Sequence, residues 1–267
     1  MTIELFLLLL LTFGISSLIK GWSGFGTNLI ALPILITMLG YSNAEGATIV
    51  ISVNVFMNIA ILVENKKFNI KSLENIKWIV YFGVVFTFIG AYYLKNPDNA
   101  QVIKVLTGSV IVLTGLYKIM IQKFKINQVF KEETMGKYFI PVGIISGFFN
   151  GIAGLGGLPV LILLSNSDMP KERFRTTLVS YFLVMNVVAI IGYVIAGNYM
   201  IPGVVTAISW MILPSVAICM FGVFLSRRVN DKIFSNVMIA VLIFMGVNLI
   251  VNGIWNTNLI TLFYNMV

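Results

Sequence analysis

Ten apolar runs dominate the chain, at residues 3–19, 25–40, 46–63, 78–94, 102–121, 138–149, 155–165, 176–197, 202–225 and 233–252. Crossing the hydrocarbon of a bilayer takes about 20 apolar helical residues at about 1.5 Å each. Most of these runs therefore predict transmembrane helices. The runs 138–149 and 155–165 are too short for two full spans. They predict the arms of a hairpin meeting at a Gly-rich break, and 3–19 with 25–40 predicts the same shape with longer arms. The fold class expected is an all-α integral membrane protein with about 8–10 membrane helices.

The short polar gaps carry the charge. Lys66, Lys67, Lys71 and Lys77 lie in 64–77, and Lys118, Lys123, Lys125, Lys131 and Lys137 in 118–137. Lys171, Arg173 and Arg175 lie in 166–175, and Arg227, Arg228 and Lys232 in 226–232. Gap 95–104 has only Lys95 and Lys104, gaps 41–45 and 198–201 and the C-terminal tail have none, and Lys20 sits inside the first hairpin. Cytoplasmic loops are rich in Lys and Arg, so one path fits. Both termini lie outside, the first hairpin returns to the outer side, and the connector 122–137 is cytoplasmic. The first repeat is then 1–121, with spans 46–63, 78–94 and 102–121 after its hairpin 3–40. The second is 138–267, with hairpin 138–165 and spans 176–197, 202–225 and 233–252. Three spans per half is an odd number, so the halves are inverted relative to each other. The start, Met1-Thr-Ile-Glu-Leu, has neither a basic n-region nor a small-residue cleavage site, so it is expected to remain as the first membrane segment.

Residue matches support the duplication. At an offset of 130, Ser16, Gly21, Gly24 and Gly26 fall on Ser146, Gly151, Gly154 and Gly156. After a two-residue slip, Thr48, Ser52, Met57 and Asn58 fall on Thr176, Ser180, Met185 and Asn186. Inverted repeats with broken helices mark secondary transporters, whose sites lie near the midplane where the repeats meet.

Composition narrows the function. The chain is 58% hydrophobic and 10% charged, with mean hydropathy +0.96, against roughly 45–50% and 25% in soluble domains. A soluble enzyme, a nucleic-acid binder and a disordered chain are excluded, and the bilayer is the expected surrounding. With no His, no buried acid pair and no GxSxG, a nucleophile would lack its base, so no enzyme activity is expected. The single Cys219 excludes an intrachain disulfide, and neither a cofactor nor a metal site is expected.

The chemistry is expected at the breaks, Lys20-Gly-Trp-Ser-Gly-Phe-Gly-Thr-Asn28 and Asn150-Gly-Ile-Ala-Gly-Leu-Gly-Gly-Leu-Pro159. Backbone leaving the helix inside a bilayer must be satisfied by protein, water or substrate. The helix that resumes presents free N–H groups and the positive end of its dipole, which suits an anion. Gly24, Gly26, Thr27 and Asn28, with Gly154, Gly156 and Gly157, are the candidate anion donors. Gly143 and Gly147 belong to a GxxxGxxxG packing series with Gly151, echoed by Ser17 and Gly21. Thr48 with Ser52 and Thr176 with Ser180, each spaced i, i+4, would complete the shell, or would bond back to their own helices. Asn54, Asn58 and Asn186 follow one or two turns on.

Lys20 either snorkels to the interface or places a positive charge beside the first break. Trp22 and Phe25 are gate or packing candidates, and Trp78 and Trp255 interfacial anchors. All ten acids lie near segment ends, which argues against a cation carrier; Glu45 is the remaining proton-coupling candidate.

Gly21-Trp-Ser-Gly-Phe-Gly followed by Pro33, and Asn150 to Pro159 in the second half, resemble the duplicated signature of the TauE/SafE sulfite exporter family. The likeness covers essentially the whole chain, and Thr27 and Asn28 depart from the usual glycine run. The resemblance implies secondary transport of a small sulfur-containing anion: sulfite, thiosulfate, sulfoacetate or another sulfonate. The expectation is a cytoplasmic-membrane carrier working by alternating access, with a proton or sodium ion as coupling candidate and a homodimer as candidate assembly. An anion-selective channel and a membrane scaffold are the alternatives.

Overall fold

The computed structural model describes residues 2–64, 70–124, 135–165, 171–226 and 231–257. Lys66, Lys67, Arg227, Arg228, connector residues 125–134, Asp168 and the tail from 258 lie outside them. Every regular element among the described residues is helical. In the first half these are α1 (Ile3–Ser23), α2 (Thr27–Thr37), α3 (Asn43–Glu64), α4 (Lys77–Lys95) and α5 (Ala100–Phe124). In the second they are α6 (Phe139–Ala153), α7 (Gly157–Ser165), α8 (Lys171–Ala196), α9 (Val204–Leu225) and α10 (Asp231–Trp255). Six helical stretches in the described residues are long and apolar enough to cross a membrane, and Thr27–Thr37 and Ile239–Trp255 are shorter apolar helices. The protein is a multi-pass membrane protein.

Both expected breaks are present. α1 runs four residues past its apolar run, through Lys20 and Gly21, because only at Gly24 does the backbone turn left-handed (φ 82°). Gly24 donates its N–H to Lys20 O and closes the helix. α6 ends the same way: Gly154 (φ 66°) donates to Asn150 O, and Leu155 to Phe149 O. This left-handed stop suits glycine, which has no Cβ to strain.

The lipid-facing stripe of α1 is Ile3, Leu7, Leu11 and Ile15, exposed at every fourth residue, while Leu9, Phe13 and Ser16 are buried. Buried faces meet through small residues. α1 packs on α9 and α4 on α6, with backbones nearly touching. A Cβ on Gly21 would lie 1.9 Å from Cys219 O, and one on Gly222 2.4 Å from Leu18 O. In the other pair, a Cβ on Gly151 would lie 2.2 Å from Thr87 O, and one on Gly90 2.4 Å from Phe148 O. Gly143 and Gly147 extend that seam along Ile79 and Gly83, the close packing expected of small residues at this spacing. α5 and α10 meet at Gly108 and Gly246.

The helix contacts exchange when α1–α5 are swapped with α6–α10. α1·α9 becomes α6·α4, α3·α9 becomes α8·α4, and α1·α2 and α2·α3 become α6·α7 and α7·α8. The pairs α3·α8 and α5·α10 map onto themselves. A departure is α2, which packs on α10 and accepts there a hydrogen bond from Asn248 to Thr37 Oγ1 (2.9 Å).

The two ends of the bundle differ. At one, Asn43 donates to Ala100 O (2.8 Å) and Asn198 to Thr48 Oγ1 (3.2 Å), joining three turns poor in basic residues. At the other, Ile76, Met135, Leu161 and Leu178 share a core under the Lys- and Arg-bearing segments.

Candidate functional site

The two breaks open onto one cavity of about 40 Å³, above the ~10–15 Å³ needed for the centre of a single water. From α1 it receives Lys20, from the first break Phe25 and Gly26, and from α2 Thr27, Asn28 and Leu29. The second hairpin contributes Gly154, Leu155, Gly157 and Leu158. Asn54 of α3 and Phe182 and Asn186 of α8 close the sides.

Lys20 lies in the cavity wall. It is 3% exposed. Its Nζ stands 5.9 Å from the centroid of the Phe182 ring, within cation–π range. Among the described residues it is the one charged side chain in the buried set. A lysine at membrane depth costs about 2.5–3.5 kcal/mol on insertion scales and marks a functional site by default.

The first turn of α2 adds to the positive potential. Its N-cap is Gly26 (φ 108°), with no capping side chain. The leading N–H groups and the helix dipole therefore face the cavity. Thr27 is 1% exposed, and its Oγ1 has no hydrogen-bond partner. A buried hydroxyl left unpaired costs about 1–3 kcal/mol, which a ligand would recover. Asn28 joins the two breaks: its Nδ2 donates to Ala153 O, the end of α6 (3.2 Å), while its Oδ1 accepts from Asn54 Nδ2. Asn54 Oδ1 remains unpartnered. At the place on α8 corresponding to Asn54, Phe182 replaces the amide and lies directly on Gly157 of α7. Lys20 and Asn150 likewise share an aligned position, and Asn150 is tied to Met185 O (2.9 Å). The cavity is thus lined by one cation, by polar groups of α2 and α3, and by the rings of Phe25 and Phe182.

Other expected site residues lie elsewhere. Gly24 caps α1 and is not in the cavity wall. Gly156 packs against its own hairpin, where an added Cβ would be 2.4 Å from Ser146 O. Trp22 is half-buried on α1 and is also outside the wall. Thr48 and Ser52 bond back to Ala44 O (2.6 Å) and Thr48 O (2.7 Å). They also receive the α8–α9 turn, through Asn198 and through the Tyr199 hydroxyl, 2.6 Å from Ser52 Oγ. Burial pushes the Tyr199 hydroxyl above its ordinary range, partly offset by the bond to Ser52. Thr176 is half-buried, and Ser180 is buried with an unpartnered Oγ, neither of them in the cavity wall. Glu45 forms a capping box at the start of α3: its Oε2 accepts from Ser42 N (2.7 Å) while Ser42 Oγ accepts from Glu45 N (3.2 Å). Trp78 and Trp255 are both exposed, as interfacial residues are.

Asn54, Asn186 and Phe182 were not among the site residues expected from sequence. Helix phase explains why a stripe drawn through Ser52 and Ser180 missed two of them. Each residue turns a helix by about 100°, so Asn54 faces almost opposite Ser52, and Phe182 almost opposite Ser180.

No group of three or more His, Cys, Asp or Glu among the described residues could hold a metal. No solved structure matches the chain at a significant level. A protein of Methanocaldococcus jannaschii named "Probable membrane transporter protein" is 24% identical over 220 residues, 79% of each chain. The sequence profile described as "Sulfite exporter TauE/SafE" matches residues 8–249. With that profile covering nearly all of it, the chain belongs to the TauE/SafE sulfite exporter family of membrane transporters.

Proposed function

We propose that this transporter carries a small sulfur-containing anion across the cytoplasmic membrane by alternating access between two inverted repeats. The observation that carries the reading is Lys20, a buried cation with no carboxylate in the cavity wall among the described residues, set beside the uncapped start of α2 in a cavity between both broken hairpins. Gly26, Thr27, Asn28, Gly154 and Gly157 would present donors and close backbone to the anion. Phe25 and Phe182 would wall it in. The exchange of helix contacts between halves supports the repeat, and a site at their meeting place is where such carriers bind cargo. The gathering of basic segments at one end of the bundle supports a cytoplasmic location for that end, with both termini outside. Coupling would use a proton or sodium ion.

The test is counterflow in proteoliposomes. Vesicles preloaded with unlabelled sulfite, thiosulfate or sulfoacetate are given the labelled anion outside. A carrier accumulates label transiently above equilibrium, whereas a channel does not. Lys20→Met should abolish accumulation in protein that still inserts and stays monodisperse. Transport by K20M at the wild-type rate would refute the site.

A further inference from the structure

We infer that the cavity selects its cargo by charge as well as by shape, accepting a monovalent oxyanion such as hydrogensulfite or a small alkyl sulfonate and disfavouring a compact divalent one such as sulfate. This rests on the anion-site reading above and adds to it the charge state of the ligand.

The argument begins with the number of full charges. Lys20 supplies one, and among the described residues no other charged side chain lines the cavity. Removing an ion from water costs energy that grows with the square of its charge, whereas its attraction to a single fixed cation grows only in proportion to the charge. A dianion therefore pays about four times the desolvation of a monoanion for about twice the attraction to Lys20.

The helix ends do not restore the balance. α2 offers an open N-terminus, but the ring of Phe182 occupies the approach to α7, where a Cβ on Gly157 would lie 1.8 Å from its Cε1. An ion with one charged face and one apolar face fits this mixed lining. Its oxygens meet Lys20 and Thr27, and its substituent meets Phe182 and Phe25.

Three tetrahedral ions of similar size test this on the purified, full-length protein in nonionic detergent. Methanesulfonate is monovalent with a methyl group, fluorosulfate is monovalent without one, and sulfate is divalent. Isothermal titration calorimetry should give methanesulfonate and fluorosulfate affinities at least about tenfold above that of sulfate. Lys20→Arg should keep that order, because guanidinium retains the charge. Lys20→Met should weaken both monovalent ions by about tenfold or more. Sulfate binding as tightly as methanesulfonate, and lost in K20M, would overturn the charge selection while leaving the anion site standing. Methanesulfonate binding alone, with fluorosulfate as weak as sulfate, would overturn it in favour of methyl recognition. No binding by any of the three, in wild type and K20M alike, would overturn the anion site and the inference with it.

Discussion

Gly154 is where the two hairpins interlock, and replacing it with alanine tests that contact quantitatively. Two costs arise. The backbone there is left-handed, at φ 66°, which penalises an L side chain by about 1–2 kcal/mol. The new Cβ would also lie 1.9 Å from Asn28 Nδ2 and 2.8 Å from Ile51 Cγ1. Asn28 must swing away, losing its bond to Ala153 O, worth about 0.5–1.5 kcal/mol, and Ile51 must shift as well. Gly154→Ala should thus destabilise the protein by about 2–4 kcal/mol. Gly40 is the control: it too is left-handed (φ 73°), and nothing lies within 4 Å of its Cβ position. Gly40→Ala should cost only the backbone penalty, about 1 kcal/mol. Unfolding free energies in mixed micelles would measure both, and adding Asn28→Ala closes a double-mutant cycle. Removing the amide should relieve part of the G154A loss, giving a favourable coupling of about 1 kcal/mol. A G154A loss equal to that of G40A, or a coupling of zero, would refute the reasoning.

Thr27→Val keeps the shape and removes a hydroxyl with no partner in the protein, so stability should hold or rise slightly. Anion affinity by calorimetry should fall about tenfold if Thr27 donates to the ligand. Gly21→Ala and Gly151→Ala drive a methyl into opposing backbone and should each cost about 3 kcal/mol or more, seen as loss of monodisperse protein. Gly14→Ala, with only Ile218 Cδ1 at 3.6 Å, should be neutral or stabilise by up to about 1 kcal/mol. Tyr199→Phe leaves Ser52 its bond to Thr48 O and should cost about 1 kcal/mol, with K20-dependent anion binding unchanged.

The breaks, the hairpins and the packing stripe were legible in the sequence because each rests on glycine, whose backbone freedom and missing side chain act locally. Helix boundaries followed from apolar runs and differed most where a polar residue continued a helix, as Lys20 does in α1. Which polar residues face the cavity was less legible. Thr48 and Ser52 form a pair on one face of α3, but that face meets the α8–α9 turn, and the cavity takes the opposite face with Asn54. A single strand of sequence gives the phase between residues on one helix and not the direction in which the helix is turned. That direction is set by contacts such as Asn28 with Ala153, 125 positions away. The asymmetry of the cavity was partly visible, in the departure of Thr27 and Asn28 from the glycine run of the second half. The pairing of Asn54 against Phe182 emerged only with the fold.

The seams of α1 on α9 and α4 on α6 carry a consequence for how such a chain came to exist. The closest helix-to-helix backbone approaches join an element of one half to an element of the other: Gly21 to Cys219, Gly151 to Thr87, Gly108 to Gly246. Neither half contains both sides of its own adhesive. A polypeptide the length of one half would need a second copy to supply these seams, each lending the other its missing surface. Gene fusion of such a pair would then have freed the two copies to diverge, and a lysine opposite an asparagine, or an amide opposite a phenyl ring, is a difference that identical subunits could never have held.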